Sequence, residues 1–381
     1  MTAPGLPAAP EVTAVVPTVG RSPWLGACLQ ALRRQEGMHS LEIVVVDQSP
    51  QPLALPAGLA DRVLRPERNL GFAGGTNLGL AAAGGELLAT VNDDAMVAPG
   101  WLAALAAALR ADPRAAAAQG VNLIADALDA DPGDAWPSAA RRERRPDGDG
   151  PAPGRRENET SEERPGRIDG CGLGWNRWWQ AIQLGHGEPA PPPPGGYATP
   201  IEVFGVSATA ALFRRTALEQ VALGGGGGGG QFFDPRLISY YEDAELAGRL
   251  QAAGFSALLV PAARAHHAGS SSGRTAPASR DRWRLIYGNR YLAAARLLGR
   301  GLWPRLPLML LRDLLDLAGP AAFRGRQRAG AAVAGQGPRL ADIAAGWARA
   351  LRHLPVFARR GAPVAAMADI ARLSRWPAQP R

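Results

Sequence analysis

Three acidic sites stand out by where they fall in the chain. Asn92-Asp93-Asp94 directly follows the apolar run Leu87–Val91. Adjacent carboxylates repel each other unless a cation offsets them, and hard oxygen ligands suit Mg2+ or Mn2+, ions that share their shell with substrate phosphates. A turn or helix cap made of the same residue types is the alternative. Tyr240-Tyr241-Glu242-Asp243-Ala244-Glu245 places carboxylates at the start of a helical pattern, where the helix dipole favours them. The two tyrosines predict partial burial, which would lift a carboxylate's pKa toward that of a general base. Asp47 ends the run Leu41–Val46, a position suited to a hydrogen bond to a ribose or base, and equally to capping the next turn. His266 and His267 open a small-residue loop, and His266 is a candidate to complete a metal shell begun by the acids.

The elements that must position these groups begin with a βαβ unit. Val12–Thr18 reads as a buried strand. Pro23 to Gln35 reads as a helix with Leu25, Leu29 and Leu32 at helical spacing, and Leu41–Val46 as a second strand. Such a unit predicts a parallel sheet with ligand chemistry at the strand C-termini. Arg62–Arg65 is a weak third strand. Asn69 to Gly75 is a Gly-rich loop that would let backbone N–H groups approach a phosphate or ribose, with a helix from Thr76 to Ala83 behind it. A plain glycine turn is the alternative, and the spacing is not that of a dinucleotide fingerprint. Leu87–Val91 is a fourth strand, Trp101–Leu109 a helix and Ala115–Val121 a further strand. Ile201–Arg214 is sheet-like, and Ala257–Val260 is a strand ending at Pro261.

Composition sets the frame. The 381 residues contain no Lys, and 46% are hydrophobic, enough for a sizeable core. Residues 126–168 hold runs of mixed charge with few large apolar residues, which predicts a solvated, disordered insertion. Gly224–Gly230 is a run of seven glycines that fixes no backbone cheaply. Cys28 and Cys171 have no metal-ligand spacing and read as reduced thiols, consistent with cytoplasm. Neither a signal peptide nor a membrane-spanning run is expected. The net charge is +8, but residues 280–381 carry nineteen Arg against five Asp, a balance of +14, so the rest sums to −6. That basic, helical extension is expected to face something anionic or to cap the preceding domain, residues 1–279. An anionic membrane surface, on the inner face of the cell membrane, is one partner it would suit.

Taken in order, Pro17-Thr18, Arg21, Val-Val-Val-Asp47, Asn69-Leu-Gly71-Phe72-Ala-Gly-Gly75-Thr-Asn77, Asn92-Asp93-Asp94, Tyr241-Glu242-Asp243 and His266-x-x-Gly269 resemble the family 2 glycosyltransferases of the GT-A fold, especially the rhamnosyltransferase-like branch. The resemblance implies an α/β fold with a mainly parallel sheet flanked by helices. It implies an inverting enzyme moving rhamnose or another hexose from a nucleotide-sugar donor to a glycan or lipid-linked acceptor, in cell-wall or polysaccharide biosynthesis. Pro17, Thr18, Arg21, Asp47, the Asn69–Asn77 segment, Asn92 and Asp93 would contact the donor. Asp94 and His266 would hold Mg2+ or Mn2+, and Asp243 would be the general base. Asn92 stands where the family's metal element has its first acid, which removes one contact. On the acceptor side the residues themselves offer Glu242, Trp175, Trp178 and Trp179, whose indoles either stack on sugars or pack the core. Two other readings stay open: a GT-A-like nucleotidyltransferase, and a non-catalytic nucleotide- or anion-binding protein. No nucleic-acid recognition motif is present.

Overall fold

Val12–Thr18 (β1) is buried along its whole length, as an unalternating apolar strand must be when both faces of its sheet are covered. Helix Leu25–Arg33 (α1) returns the chain so that Leu41–Asp47 (β2) pairs parallel with β1, Thr18 opposite Asp47. Arg62–Leu64 (β3) follows, then Gly71–Ala82 (α2), Leu87–Val91 (β4), Ala95–Val97 (β5), Trp101–Ala111 (α3) and Ala115–Ile124 (β6). Three short strands come next, Ile168–Gly170 (β7), Leu173–Trp175 (β8) and Ala181–Gln183 (β9). Ile201–Val203 (β10), Ala210–Arg214 (β11), helices Arg215–Gln220 (α4) and Glu242–Ala252 (α5), and Ser256–His267 (β12) complete the domain. The extension holds Arg280–Leu298 (α6), a 3-10 stretch Gly299–Arg305, Leu306–Asp316 (α7), Leu340–Arg359 (α8) and Met367–Leu373 (α9).

This computed structural model describes residues 9–125, 166–190, 199–224, 230–269, 280–317, 338–359 and 367–375. The main sheet has the order β10-β12-β6-β11-β4-β1-β2-β3, with β5 on β12 and β7 on β6. β3, β2, β1 and β4 run parallel, β11 is antiparallel to both neighbours, and β12 is parallel to β6. Strand alternation divides the core in two. Val12, Ala14, Val16, Ile43 and Val45 pack beneath α1 and α3, while Val15, Val44 and Val46 face α2. The architecture is the expected α/β arrangement, a mainly parallel sheet between helical layers.

Three expectations need adjustment. The glycine-rich segment is a helix, not a loop: α2 begins at Gly71, five residues before Thr76. A Cβ on Gly75 would sit 2.4 Å from Gln48 Nε2, and one on Gly79 would sit 2.3 Å from Val15 Cγ1, so these glycines let the helix lie close on the sheet. β12 does not stop at Pro261 but runs to His267, with a register shift between Leu259 and Arg264 that accommodates the proline. The histidine pair therefore ends a strand. The charged insertion expected over 126–168 lies outside the described residues as far as 165, but Ile168 is fully buried in β7. Most of the glycine run, 225–229, is also outside them. The extension caps the domain: Trp175, Trp179, Phe204 and Ala247 share a core with Tyr291, Leu292, Ala350 and Phe357.

Candidate functional site

β1, β2 and β4 end on the same edge of the sheet, which brings Thr18, Asp47 and the Asn92–Asp94 turn to one place. The Thr18 hydroxyl donates to Asp93 Oδ2 at 2.5 Å, and the Ser22 hydroxyl donates to the Asp93 carbonyl at 3.0 Å. Burial pushes the Asp93 carboxyl up to about 7; the Thr18 hydrogen bond opposes this, the neighbouring Asp94 charge adds to it, and His267 opposes it. Asp94 is buried and fastened to the end of β12, its carbonyl accepting from Ala268 N at 2.9 Å.

The ring beside Asp94 belongs to His267. The expectation named His266, but strand alternation sends consecutive side chains to opposite faces, and a loop reading cannot tell the two apart. His267 Nε2 lies 3.2 Å from Asp94 Oδ1, and His267 Nδ1 lies 2.8 Å from Asp169 Oδ2. Burial disfavours a charged ring here, yet the two carboxylates outweigh it and raise the His267 pKa well above its ordinary value. Burial likewise raises Asp169, but His267 brings it below the usual carboxylate range. Asp169 is the residue that sequence reasoning missed. It is a lone acid beyond the charged insertion, and only the β6–β7 pairing brings it to β12.

Donor spacing tests whether these groups fit a divalent ion. Oxygen and nitrogen ligands about 2.1 Å from an octahedral ion lie about 3 Å apart when adjacent, and Asp94 Oδ1 and His267 Nε2 are 3.2 Å apart. A carboxylate on the second ring nitrogen is the usual support for a metal-bound histidine. Among the described residues no set of three or more His, Cys, Asp or Glu is arranged to hold a metal. Two protein ligands would leave an ion's remaining positions to substrate phosphate oxygens and water.

Asp243 comes from another element, α5. It lies in the first turn of α5, half-buried, and its carboxylate accepts from its neighbour's amide, Ala244 N, at 2.8 Å. Burial raises its pKa, against hydrogen bonds from the Ala244 and Ala208 amides and the Ser207 hydroxyl. The same segment reaches the acidic turn, because Asn92 N donates to the Thr209 carbonyl at 2.8 Å. Only Ser207–Thr209 thus separates the two carboxylate sites. Glu242 is buried beside Asp243, with Oε2 lacking any hydrogen-bond partner, and burial together with Asp243's charge pushes it up to about 8.

The loop entering α5 is strained. Ile238, Tyr240 and Tyr241 have φ of 66°, 69° and 69°, each costing about 1–2 kcal/mol for a non-glycine residue. Asn289 of α6 holds this shape, its Nδ2 lying 2.7, 2.9 and 2.9 Å from the carbonyls of Leu237, Ser239 and Tyr240. From the other side Ala73 N donates to the Ile238 carbonyl at 2.9 Å, so α2 braces the base loop.

Other sequence-derived candidates take structural places. Asp47 accepts from Ser49, Leu53 and Arg65, which outweigh burial and lower its pKa. This is the turn-capping arrangement. Asn77 spends its amide on Phe232 and Phe233. Phe72 meets Phe233 edge-on, Asn69 caps Gly71 N, Pro17 is buried in β1 and Arg21 is exposed. Trp175 and Trp179 are core residues, their rings packed on each other, with Trp175 also on Phe204 and Tyr241 and Trp179 under the Arg305 guanidinium, so they offer no open face to a sugar. Trp178 is half-buried under the Arg177 guanidinium.

Comparison with known proteins adds the following. The glycosyl transferase family 2 model matches residues 13–150, which include Thr18, Asp47 and Asp94 and stop before Asp169, Asp243 and His267. No curated protein matches. Similar solved structures include GalNAc-T7 with UDP, GalNAc and Mn2+, at 16% identity and TM-score 0.49, over 76% of this chain and 52% of that one. S. aureus TarS aligns at 16% identity and TM-score 0.41, over 76% and 43%. The mannosyltransferase PcManGT from Pyrobaculum calidifontis, in complex with GDP-Man and Mn2+, aligns at 18% identity and TM-score 0.41, over 93% and 84%. This chain covers about half the length of the first two.

Proposed function

We propose that the protein is a nucleotide-sugar-dependent, inverting glycosyltransferase acting on a hydroxyl of a glycan or lipid-linked acceptor. The observation behind this reading is the Ser207–Thr209 segment, whose hydrogen bonds to Asp243 and to Asn92 link the two carboxylate sites. The family 2 match over residues 13–150 supports it on the donor side. The resemblance to the rhamnosyltransferase-like branch favours rhamnose or another hexose as the transferred sugar.

In this mechanism Asp94 and His267 would hold Mg2+ or Mn2+, with Asp169 fixing the His267 ring through Nδ1. The ion, when bound, neutralises charge that develops on the departing diphosphate. Asp243 takes the proton from the acceptor hydroxyl, whose oxygen attacks the anomeric carbon opposite the leaving group. A single carboxylate on that side inverts the centre, since covalent retention would need a second, nucleophilic one. The raised pKa of Asp243 suits it to that proton. Glu242, offered as an acceptor-side residue, has its Oε2 buried away from solvent and takes no part in this mechanism.

Asp243→Asn tests the assignment. Transfer should fall by about 10²–10⁴-fold, while calorimetric binding of a nucleoside diphosphate with Mn2+ stays near that of the parent. Unchanged turnover would remove Asp243 from the mechanism.

A further inference from the structure

The helix α7 is turned inside out relative to an ordinary surface helix. Outward it shows Leu308, Leu311 and Leu314, exposed by 40%, 50% and 46%. Trp303, just before the helix, and Leu317, just after it, extend the stripe at 58% and 36%. Inward it buries Met309 and an acid, Asp313, which is ion-paired with Arg290 and accepts from the Trp347 indole at 2.9 Å. The charges that could border the outward face are drawn away from it. Arg312 pairs with Asp316, and Arg305 turns back to the Gly301 carbonyl and covers the Trp179 ring. A soluble surface helix places its leucines and acids the other way round.

We propose that this face is a docking surface for an anionic lipid bilayer, with α7 lying in the boundary between headgroups and acyl chains. Charge complementarity favours lipid over a protein partner. Residues 280–381, from which the stripe projects, carry nineteen Arg, five Asp and no Glu. Such a field is drawn to anionic headgroups while the leucines enter the apolar layer beneath, and Trp303 has the amphipathic ring suited to that boundary. α7 has eleven residues, too few to span a bilayer, and among the described residues no helix is long and apolar enough to cross one. The arrangement is that of a helix lying in the interface plane. It would bring a lipid-linked acceptor to the enzyme, but docking itself requires neither donor nor turnover, so its failure and that of the transfer reading are separate results.

Vesicle flotation tests the proposal. The full chain should float with vesicles of equal parts phosphatidylcholine and phosphatidylglycerol, remain in solution with phosphatidylcholine alone, and release at high salt. Leu308→Gln combined with Leu311→Gln should weaken flotation by about tenfold or more, with an unchanged thermal melt because both side chains point outward. Trp303→Ser is the second variant and should weaken it too. Flotation indifferent to these substitutions, equal binding to neutral vesicles, or no binding to either would overturn the proposal. So would a dimer of the parent that the leucine substitutions convert to monomer, since the face would then belong to a second copy of the chain.

Discussion

Glu242 and Asp243 are neighbours in sequence and share a burial site that water reaches poorly, so both cannot ionise cheaply. Glu242 meets this by staying protonated up to about pH 8, against an ordinary value of 4.5. Between those values the folded state holds a proton that the unfolded chain has lost. Stability must therefore fall as pH rises through that window, and below it the two states are alike. Glu242→Gln keeps the shape and removes the ionisation. At pH 8 the variant should melt about 2–5 °C above the parent, and near pH 4 the two should coincide. A variant that melts lower at pH 8 would mean that the ionised form of Glu242 is stabilised by something this geometry omits. Sequence reasoning found the pair because tyrosines precede it. It could not foresee that Glu242 Oε2 would be buried without a partner, because that depends on the fold around it.

Among the elements, legibility followed periodicity. Strands β1, β2 and β4 are largely apolar runs, and their ends mark the edge where Thr18, Asp47 and the Asn92–Asp94 turn meet. The glycines of α2 misled, because a residue that permits a loop also permits close helix packing, and only Gln48 and Val15 reveal which. Pro261 misled because a bulge absorbs it. Asp169 and Asn289 were invisible for a different reason: each is a single polar residue whose partners come from distant elements. Asn289 illustrates the consequence. It is fully buried and its amide bonds three carbonyls of the loop that aims Asp243, while its own oxygen accepts from Arg349 Nε at 3.2 Å. Asn289→Ala strands those carbonyls, at about 1–3 kcal/mol, and frees a loop held in left-handed conformations. Turnover should drop by about tenfold or more with KM for the donor nearly unchanged, because the donor's acidic turn lies on other strands. A lower melting temperature with full turnover would reduce Asn289 to a structural role.

At the scale of the whole molecule, the composition changes near residue 280, and the packing runs across that point. α6 lies on α5, the helix that carries Asp243, and the ion pairs cross the junction: Arg296 reaches Asp234 at 2.9 Å and Glu245 at 3.0 Å, all three buried. Phe357 of α8 covers the same guanidinium. Leu373 of α9 returns to the domain and accepts from Phe204 N at 3.2 Å. A buried charge whose partners sit on both sides of a boundary costs several kcal/mol if the sides part, and the shared apolar core adds to that cost. Calorimetry should therefore record one cooperative unfolding transition, with Arg296→Met shifting the whole of it. Two resolved transitions, or a shift confined to one of them, would show that the basic helices unfold on their own. The control of Asp243 by α6 would then be lost before the sheet melts.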